Sequence, residues 1–163
     1  MESKFRIAEV NALPAETLAS VFGECLAVHR WARTLAADRP YPDVPALLAR
    51  ADELSASLTG AELRAALDDH PRIGTRPAAG SRPAAEQSGV DSERLAGRLA
   101  EANAAYEERF GHIYLVCAAG RDGEDLLADL ARRMTNDPAT EWGVVRDELG
   151  KIARLRLSGM IEA

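Results

Sequence analysis

The sequence predicts an all-α protein, a single-domain bundle of about seven to eight helices over residues 1–163. Apolar residues recur every three or four positions through most of the chain, which is the spacing of an amphipathic helix. No run of strand length alternates between apolar and polar residues, and the one β-like stretch, 113–117, is too short for its period to decide. The chain is long enough for one well-buried domain and short for two.

Three helices are predicted in the first half of the chain. Apolar residues at helical spacing predict helices over about 15–28 and 43–57. Thr59 and Glu62 form a capping-box pattern, in which each side chain accepts a hydrogen bond from the other residue's backbone N–H, so a third helix begins there. We expect that helix to end before Pro71, because proline disfavours helical geometry in the residue that precedes it.

Two further helices follow a polar, Pro/Gly-rich stretch. A long one is predicted from Asp91 or Ser92 to Gly111, and Asp122 is predicted to cap another over 123–134. One stripe of the long helix consists of Leu95, Leu99, Asn103, Tyr106 and Phe110. The Asn103 side-chain amide must find hydrogen-bond partners when it is buried, so we expect it to tie a neighbouring loop to the helix.

The last predicted helix begins after the Asn-Asp-Pro break at 136–138 and extends to about residue 161. Its apolar stripe contains one arginine and consists of Trp142, Val145, Leu149, Ile152, Arg156 and Met160. The stripe places the guanidinium on the buried face, where it needs an anionic partner or a pocket opening. An internal ion pair, or a side chain that extends to solvent, is the alternative interpretation.

Residues 71–90, PRIGTRPAAGSRPAAEQSGV, contain no helical period. They read as a flexible connection, as a linker between two helical halves, or as a long structured loop of one domain. We favour the loop, because each half is marginal alone and long loops inside domains are often functional. Within it, Glu86 and Gln87 place a carboxylate beside an amide, which suits a polar heterocycle but also fits a short solvated turn.

Composition excludes several classes of function. The net charge of −6 argues against nucleic-acid binding through a basic surface. Cys25 and Cys117 lie far apart and form no zinc-binding spacing, so no metal site is expected. No apolar run approaches the ~20 residues of a membrane span, and the start of the chain does not resemble a signal peptide. A reduced, cytoplasmic setting is expected.

One of the three histidines stands out. His70 precedes a proline at the end of a helical pattern, which turns its imidazole away from the helix. Imidazole is well matched to proton transfer near neutral pH, although a lone histidine is more often structural. His29 and His112 are expected to be structural or exposed.

Taken in order, a set of short motifs resembles the 2-oxo-4-hydroxy-4-carboxy-5-ureidoimidazoline (OHCU) decarboxylase family. The motifs are Asn11-x-Leu13, Trp31, Arg39-Pro40-Tyr41, His70-Pro71-Arg72-Ile73-Gly74, Glu86-Gln87, Asn103-x-x-Tyr106, Arg109-Phe110-Gly111, Tyr114-Leu115-Val116-Cys117-Ala118 and Ile152-x-x-Leu155-Arg156-Leu157. They extend through nearly the whole chain. The His-Pro-Arg-Ile-Gly run and the block from Arg109 to Ala118 are the most specific parts.

The resemblance implies an all-α homodimer that decarboxylates OHCU to (S)-allantoin during urate breakdown, without a cofactor. It places His70 on the catalytic proton donor, with Glu86 as a second catalytic residue that orients the imidazole or holds the ring. The positions that it implies for substrate binding are Pro71, Pro83, Ala84, Ala85, Gln87, Tyr114, Leu115, Val116, Cys117, Ala118 and Arg156. The resemblance further implies association with a hydroxyisourate hydrolase of the same pathway. Nucleic acid and membranes are not expected as partners.

One departure concerns Pro83. The family usually carries a serine three residues before the glutamate, and this chain has proline there. Proline fits the first position of a helix, so the local turn can survive while one hydrogen bond is lost, at about 0.5–1.5 kcal/mol. Ser81, Ser88 or a water is expected to supply the missing hydroxyl, and a changed substrate preference stays open.

Two other classes of function remain open. A helical binding or adaptor module explains the acidic charge and the helices, and predicts an exposed apolar patch with no small-ligand pocket. A metal hydrolase that uses His70, Glu86 and His112 is the second, and it predicts loss of activity with a chelator.

Overall fold

The computed structural model describes residues 4–70 and 89–162, with side chains for 4–70 and 93–162. The helices in these ranges are α1 (Ile7–Ala12), α2 (Ala15–Gly23), α3 (His29–Ala37), α4 (Val44–Ala56), α5 (Gly60–Asp68), α6 (Gly89–Phe110), α7 (Gly123–Arg133) and α8 (Pro138–Met160). In the described part of the chain the only strand-like pairing is an isolated bridge between Phe5 and Ile161. The all-α prediction is confirmed, and the stretch 113–117 is neither helix nor strand.

The chain divides into two compact units, the first up to Asp69 together with the residues from Trp142 onward, and the second from His70 to Glu141. In the first unit, helix α3 packs against α2 and against α4, and its Trp31 is fully buried. Its indole N–H lies 3.2 Å from the Ala51 carbonyl and 3.1 Å from the Ser55 hydroxyl, so the buried ring is anchored to α4. The prediction of a single domain stays a prediction.

The observed helix ends agree with the predicted ones where a capping signal is present, and they differ from the prediction where such a signal is missing. Asp43 caps α4, and the Thr59 and Glu62 capping box begins α5 as predicted. Asp122 forms a second capping box at α7. The predicted helix over 15–28 is too long, because α2 ends at Gly23. Helix α3 was not predicted separately, since it is only nine residues long and its first residue follows Val28, which makes no capping bond.

The predicted stripe of the last helix is partly wrong. The apolar residues of α8 that are fully buried follow a four-residue repeat, Val145, Leu149, Ala153 and Leu157. Trp142, Ile152 and Met160 are half-buried, and Arg156 is exposed rather than buried. The repeat places Leu157 rather than its neighbour in the core, so Arg156 lies beside the buried face.

The second unit contains α6, α7 and the irregular segment between them. The buried core here consists of Leu99, Tyr106, Tyr114, Val116, Leu126 and Leu130. Gly111 adopts a positive φ of 76° directly after α6, which explains why this helix ends there. The predicted stripe of α6 is confirmed, because its five members are buried or half-buried. None of the described helices combines the length and apolar composition of a membrane span.

Candidate active site

His70 lies two residues beyond the end of α5 and is half-buried. The last turn closes with the Asp69 N–H donating to the Ala66 carbonyl, so the chain has left helical geometry at the histidine, as the following proline requires. His70 begins the second unit, which also contains the segment 114–118.

Burial decreases along the segment 114–118. Tyr114, Leu115 and Val116 are buried, Cys117 is half-buried and Ala118 is exposed. A turn follows, in which the Arg121 N–H donates to the Ala118 carbonyl. The segment therefore emerges from the core of the second unit toward its surface, a course that makes its backbone groups accessible at one end.

A buried polar cluster holds this segment from the inside. We call it the arginine cluster; its members are Tyr106, Tyr114, Asp129, Arg133 and Glu141. Arg133 is at its centre and only 3 % exposed, and Glu141 is fully buried. Two guanidinium nitrogens of Arg133, Nε and Nη2, donate to one oxygen of Glu141 at 2.8 and 2.5 Å.

The third guanidinium nitrogen contacts the predicted substrate segment directly. Nη1 of Arg133 donates to the backbone carbonyl of Leu115 at 2.7 Å and lies 3.4 Å from Asp129. The guanidinium also packs over the ring of Tyr114, at 4.7 Å from the ring centre. Burial of charged side chains costs free energy. The cluster is tolerated because each of its charges has a partner.

The two tyrosines of the cluster each donate to a carboxylate. The hydroxyl of Tyr114 donates to Asp129 at 2.5 Å, and that of Tyr106 donates to Glu141. Burial and the adjacent carboxylate raise the pKa of both hydroxyls. Burial opposes ionisation of Asp129, yet the Tyr114 hydroxyl and the Arg133 charge together hold its pKa below the usual value. The tyrosines are therefore neutral donors in the folded protein.

Sequence reasoning missed the arginine cluster except for Tyr106 and Tyr114. A signal was present: the buried face of α7 consists of Leu126, Asp129, Leu130 and Arg133, so two ionisable residues share the stripe of two leucines. Opposite charges four residues apart on a buried stripe indicate an internal ion pair. Glu141 carried no such signal, because it lies in the first turn of α8, where acids are common.

Arg156 lies in the first unit, on α8. Its Nη1 is 3.5 Å from the Cys25 carbonyl, and its charge favours the Cys25 thiolate. Burial outweighs that charge and raises the pKa of this thiol to about 11. The exposure of Arg156 corrects the expectation that its guanidinium lies on the buried face of the helix. Of the two alternative interpretations, it agrees with a side chain that extends to solvent.

Six of the predicted site residues lie outside the described residues. They are Pro71, Pro83, Ala84, Ala85, Glu86 and Gln87. Of the other histidines, His29 is exposed, whereas His112 is half-buried and stacks on Phe110 at 6.0 Å between ring centres. Among described residues no three or more His, Cys, Asp or Glu side chains form a group that could hold a metal ion.

Comparison with known proteins identifies the family. The OHCU decarboxylase family model matches residues 11–158. The 2-oxo-4-hydroxy-4-carboxy-5-ureidoimidazoline decarboxylase of Amia calva is 31% identical, over 94% of this chain and 93% of its own length. A uric acid degradation bifunctional protein of Bacillus subtilis, PucL, is 26% identical over 96% of this chain, which spans only 33% of that protein.

A solved structure agrees with these matches. An OHCU decarboxylase crystallised in the presence of (S)-allantoin superposes with a TM-score of 0.72 at 26% identity, over 85% of this chain and 95% of that one. The resemblance inferred from the ordered motifs is thereby confirmed, since the family match includes His70, the segment 114–118 and Arg156. The chain belongs to the OHCU decarboxylase family.

Proposed function

We propose that this chain decarboxylates 2-oxo-4-hydroxy-4-carboxy-5-ureidoimidazoline to (S)-allantoin in the degradation of urate, as a carboxy-lyase that needs no cofactor. The observation that carries the proposal is the match of the family model over 11–158, which includes the His-Pro-Arg-Ile-Gly run with His70 at its start. The position of His70 just beyond the end of α5 supports its role as the proton donor.

The substrate itself supplies the electron sink that decarboxylation requires. When the bond between the ring carbon and the carboxylate breaks, carbon dioxide leaves and the electron pair passes into the conjugated ring. Addition of one proton to one face of the ring then gives a chiral product. Removal of water from the carboxylate raises its energy relative to the transition state, in which charge is spread over the ring.

His70 provides that proton in the proposed mechanism. Proton transfer by a positioned side chain typically accelerates a reaction by about 10²–10⁴-fold. Glu86 orients the imidazole or holds the polar groups of the ring, and Gln87 with Pro71 contacts the substrate. Pro83 replaces the usual serine, and a neighbouring serine or a water supplies the hydroxyl.

The segment Tyr114–Ala118 contributes backbone groups to the ring. Arg156 anchors an anionic or carbonyl group at a distance from the leaving carboxylate, because strong binding of that carboxylate would oppose its loss. The exposure of Arg156 supports this role, since its guanidinium is accessible to a ligand. We also propose a cytoplasmic homodimer that works with a hydroxyisourate hydrolase. Cys25 and Cys117 do not form a disulfide, which suits that compartment.

The function is tested by an optical assay of the product. Urate, urate oxidase and hydroxyisourate hydrolase generate the substrate, and circular dichroism follows the formation of chiral allantoin with and without this chain. We expect rapid formation of the S enantiomer only when the chain is present. Racemic allantoin at the spontaneous rate would overturn the proposal and favour a binding module or a changed substrate.

A chelator distinguishes the proposal from a metal hydrolase. The proposed mechanism uses only side chains, backbone groups and the conjugation of the substrate. Activity is therefore expected to be the same before and after dialysis against EDTA. Loss of activity that returns on addition of a divalent cation would favour the metal hydrolase.

A further inference from the structure

The buried charge of Arg133 is not required for folding alone. A buried ion pair contributes little net stability, because desolvation of both charges offsets most of their attraction. Apolar residues of similar volume would fill the same space at least as well. Yet Arg133 uses Nη1 to bind the backbone carbonyl of Leu115, in the segment that is proposed to contact the substrate.

The other contacts of Arg133 fix the direction of that hydrogen bond. Nε and Nη2 are held by Glu141, and the guanidinium carbon lies 4.7 Å from the ring centre of Tyr114 and 5.7 Å from that of Tyr106. A planar guanidinium that is bound on two edges cannot rotate without loss of several charged hydrogen bonds. The Leu115 carbonyl is therefore fixed in direction.

Fixing this carbonyl also fixes the next amide. The only cis peptide among the described residues is Arg39–Pro40, so the peptide between Leu115 and Val116 is trans. In a planar trans peptide the C=O and the N–H point in opposite directions. The N–H of Val116 consequently points away from Arg133.

We infer that Arg133 is a positioning residue for substrate binding: it holds the Leu115–Val116 peptide so that the Val116 N–H donates to an acceptor atom of the ureido-imidazoline ring. This inference rests on the proposed function and assigns a purpose to the buried charges. A side chain that is buried in the core thus determines the direction of a donor in the site. Preorganised donors of this kind bind without the loss of freedom that a mobile loop would suffer.

The arginine cluster provides a matched pair of variants. Arg133→Lys keeps the positive charge for Glu141 but loses the planar fork that also reaches Leu115. Tyr106→Phe removes one hydroxyl that donates to the same carboxylate and leaves the bond between Arg133 and Leu115 in place. Both variants perturb the cluster, and only the first releases the segment.

The experiment measures KM, kcat and the melting temperature of both variants with freshly generated OHCU. We expect Arg133→Lys to raise KM about tenfold with a much smaller change in kcat, because the contact is made in both ground and transition states. Tyr106→Phe is expected to keep KM within about twofold of the wild-type value, because it leaves the bond between Arg133 and Leu115 in place. The wild-type protein, prepared in the same way, is the reference for both variants.

Three outcomes would overturn the inference. They are a folded Arg133→Lys variant with the wild-type KM, an equal rise of KM in both variants, and a decrease in kcat alone. If Arg133→Lys does not fold, Glu141→Gln decides: it keeps the arginine but weakens its anchor, so a raised KM supports the inference and an unchanged KM contradicts it. Absence of decarboxylation by the wild-type chain would instead refute the proposed function, and the inference with it.

Discussion

Asn11 and Tyr41 exchange two hydrogen bonds of 2.8 Å, in which the side-chain amide of one pairs with the backbone of the other. Nδ2 of Asn11 donates to the Tyr41 carbonyl, and the Tyr41 N–H donates to Oδ1 of Asn11. Arg39 donates to the carbonyls of Val10 and Leu13 nearby, at 3.0 and 2.5 Å. These motif residues of the family therefore fasten the chain after α3 to the end of α1.

The amide pair predicts the effect of Asn11→Ala. This substitution leaves both the N–H and the carbonyl of Tyr41 without the Asn11 side chain, so we expect the free energy of unfolding to fall by about 1–3 kcal/mol. Urea denaturation followed by circular dichroism measures it. Ser20→Ala, at an exposed position of α2, is the control and should change stability by less than about 0.5 kcal/mol. Equal stability of the two variants would refute the structural role of Asn11.

Two glycines at α6 predict opposite effects of the same substitution. Gly111 has a φ of 76°, so Gly111→Ala is expected to destabilise the protein by about 1–2 kcal/mol. Gly97 lies within the helix with open space at its Cβ position, and Gly97→Ala should stabilise it by about 0.5–1 kcal/mol. Thermal unfolding measures both. A shift of the melting temperature in the same direction would contradict the helix end at Gly111.

His70→Gln tests the proposed proton donor. Glutamine keeps polarity but cannot act as an acid near neutral pH, so kcat is expected to fall about 10²–10⁴-fold. The half-buried position beyond α5 predicts a small change in melting temperature. His29→Gln, at an exposed position, should keep the wild-type rate. Formation of (S)-allantoin by His70→Gln at the wild-type rate would show that another group donates the proton.

Arg156 and Arg154 form a second matched pair, because both are exposed on α8 and lie on different faces. Arg154 pairs with Asp52, whereas Arg156 is proposed to bind the substrate. Arg156→Gln is expected to raise KM by about tenfold or more, since a charge-assisted hydrogen bond is lost, with little change in stability. Arg154→Gln should keep the wild-type KM. Similar KM values for the two variants would remove Arg156 from the proposed site.

The pair of Arg30 and Glu62 predicts a step in acid stability. The hydrogen bond from Arg30, at 2.9 Å, lowers the pKa of Glu62 from 4.5 to about 2. A carboxyl with a depressed pKa stabilises the fold above its unfolded pKa, and that stability is lost as the pH falls from about 4.5 to about 2. Because the Arg30 side chain is 43% exposed, solvent screening limits the effect to about 1 kcal/mol or less.

Glu62→Gln isolates this step, because glutamine preserves the capping box of α5 while it removes the charge. The difference in unfolding free energy between wild type and variant, measured by urea denaturation from pH 6 to pH 2, should vanish as the pH falls. The difference at pH 6 should also shrink in high salt, which screens exposed pairs. A difference that is constant over the whole range would mean that the ion pair contributes nothing.

Most of the fold follows from local patterns. Capping residues and glycine predicted the beginnings or ends of α5, α6 and α7, because these signals act within one turn of the chain. The motifs also led to the correct family. In those motifs, however, Asn11 and Arg39 proved to be structural, and the sequence alone does not separate such residues from those of the site.

The amino-acid sequence by itself determined the helical class, most helix ends, the family and His70 as the candidate acid. Only the tertiary structure decided that Arg156 is exposed, although it was predicted on a buried stripe, and that Arg133 and Glu141 pair with each other in the core. The physical reason is that a charge becomes tolerable in a core only through its partners. Those partners, the Leu115 carbonyl and Glu141, lie 18 and 8 residues from Arg133, and folding alone brings them together.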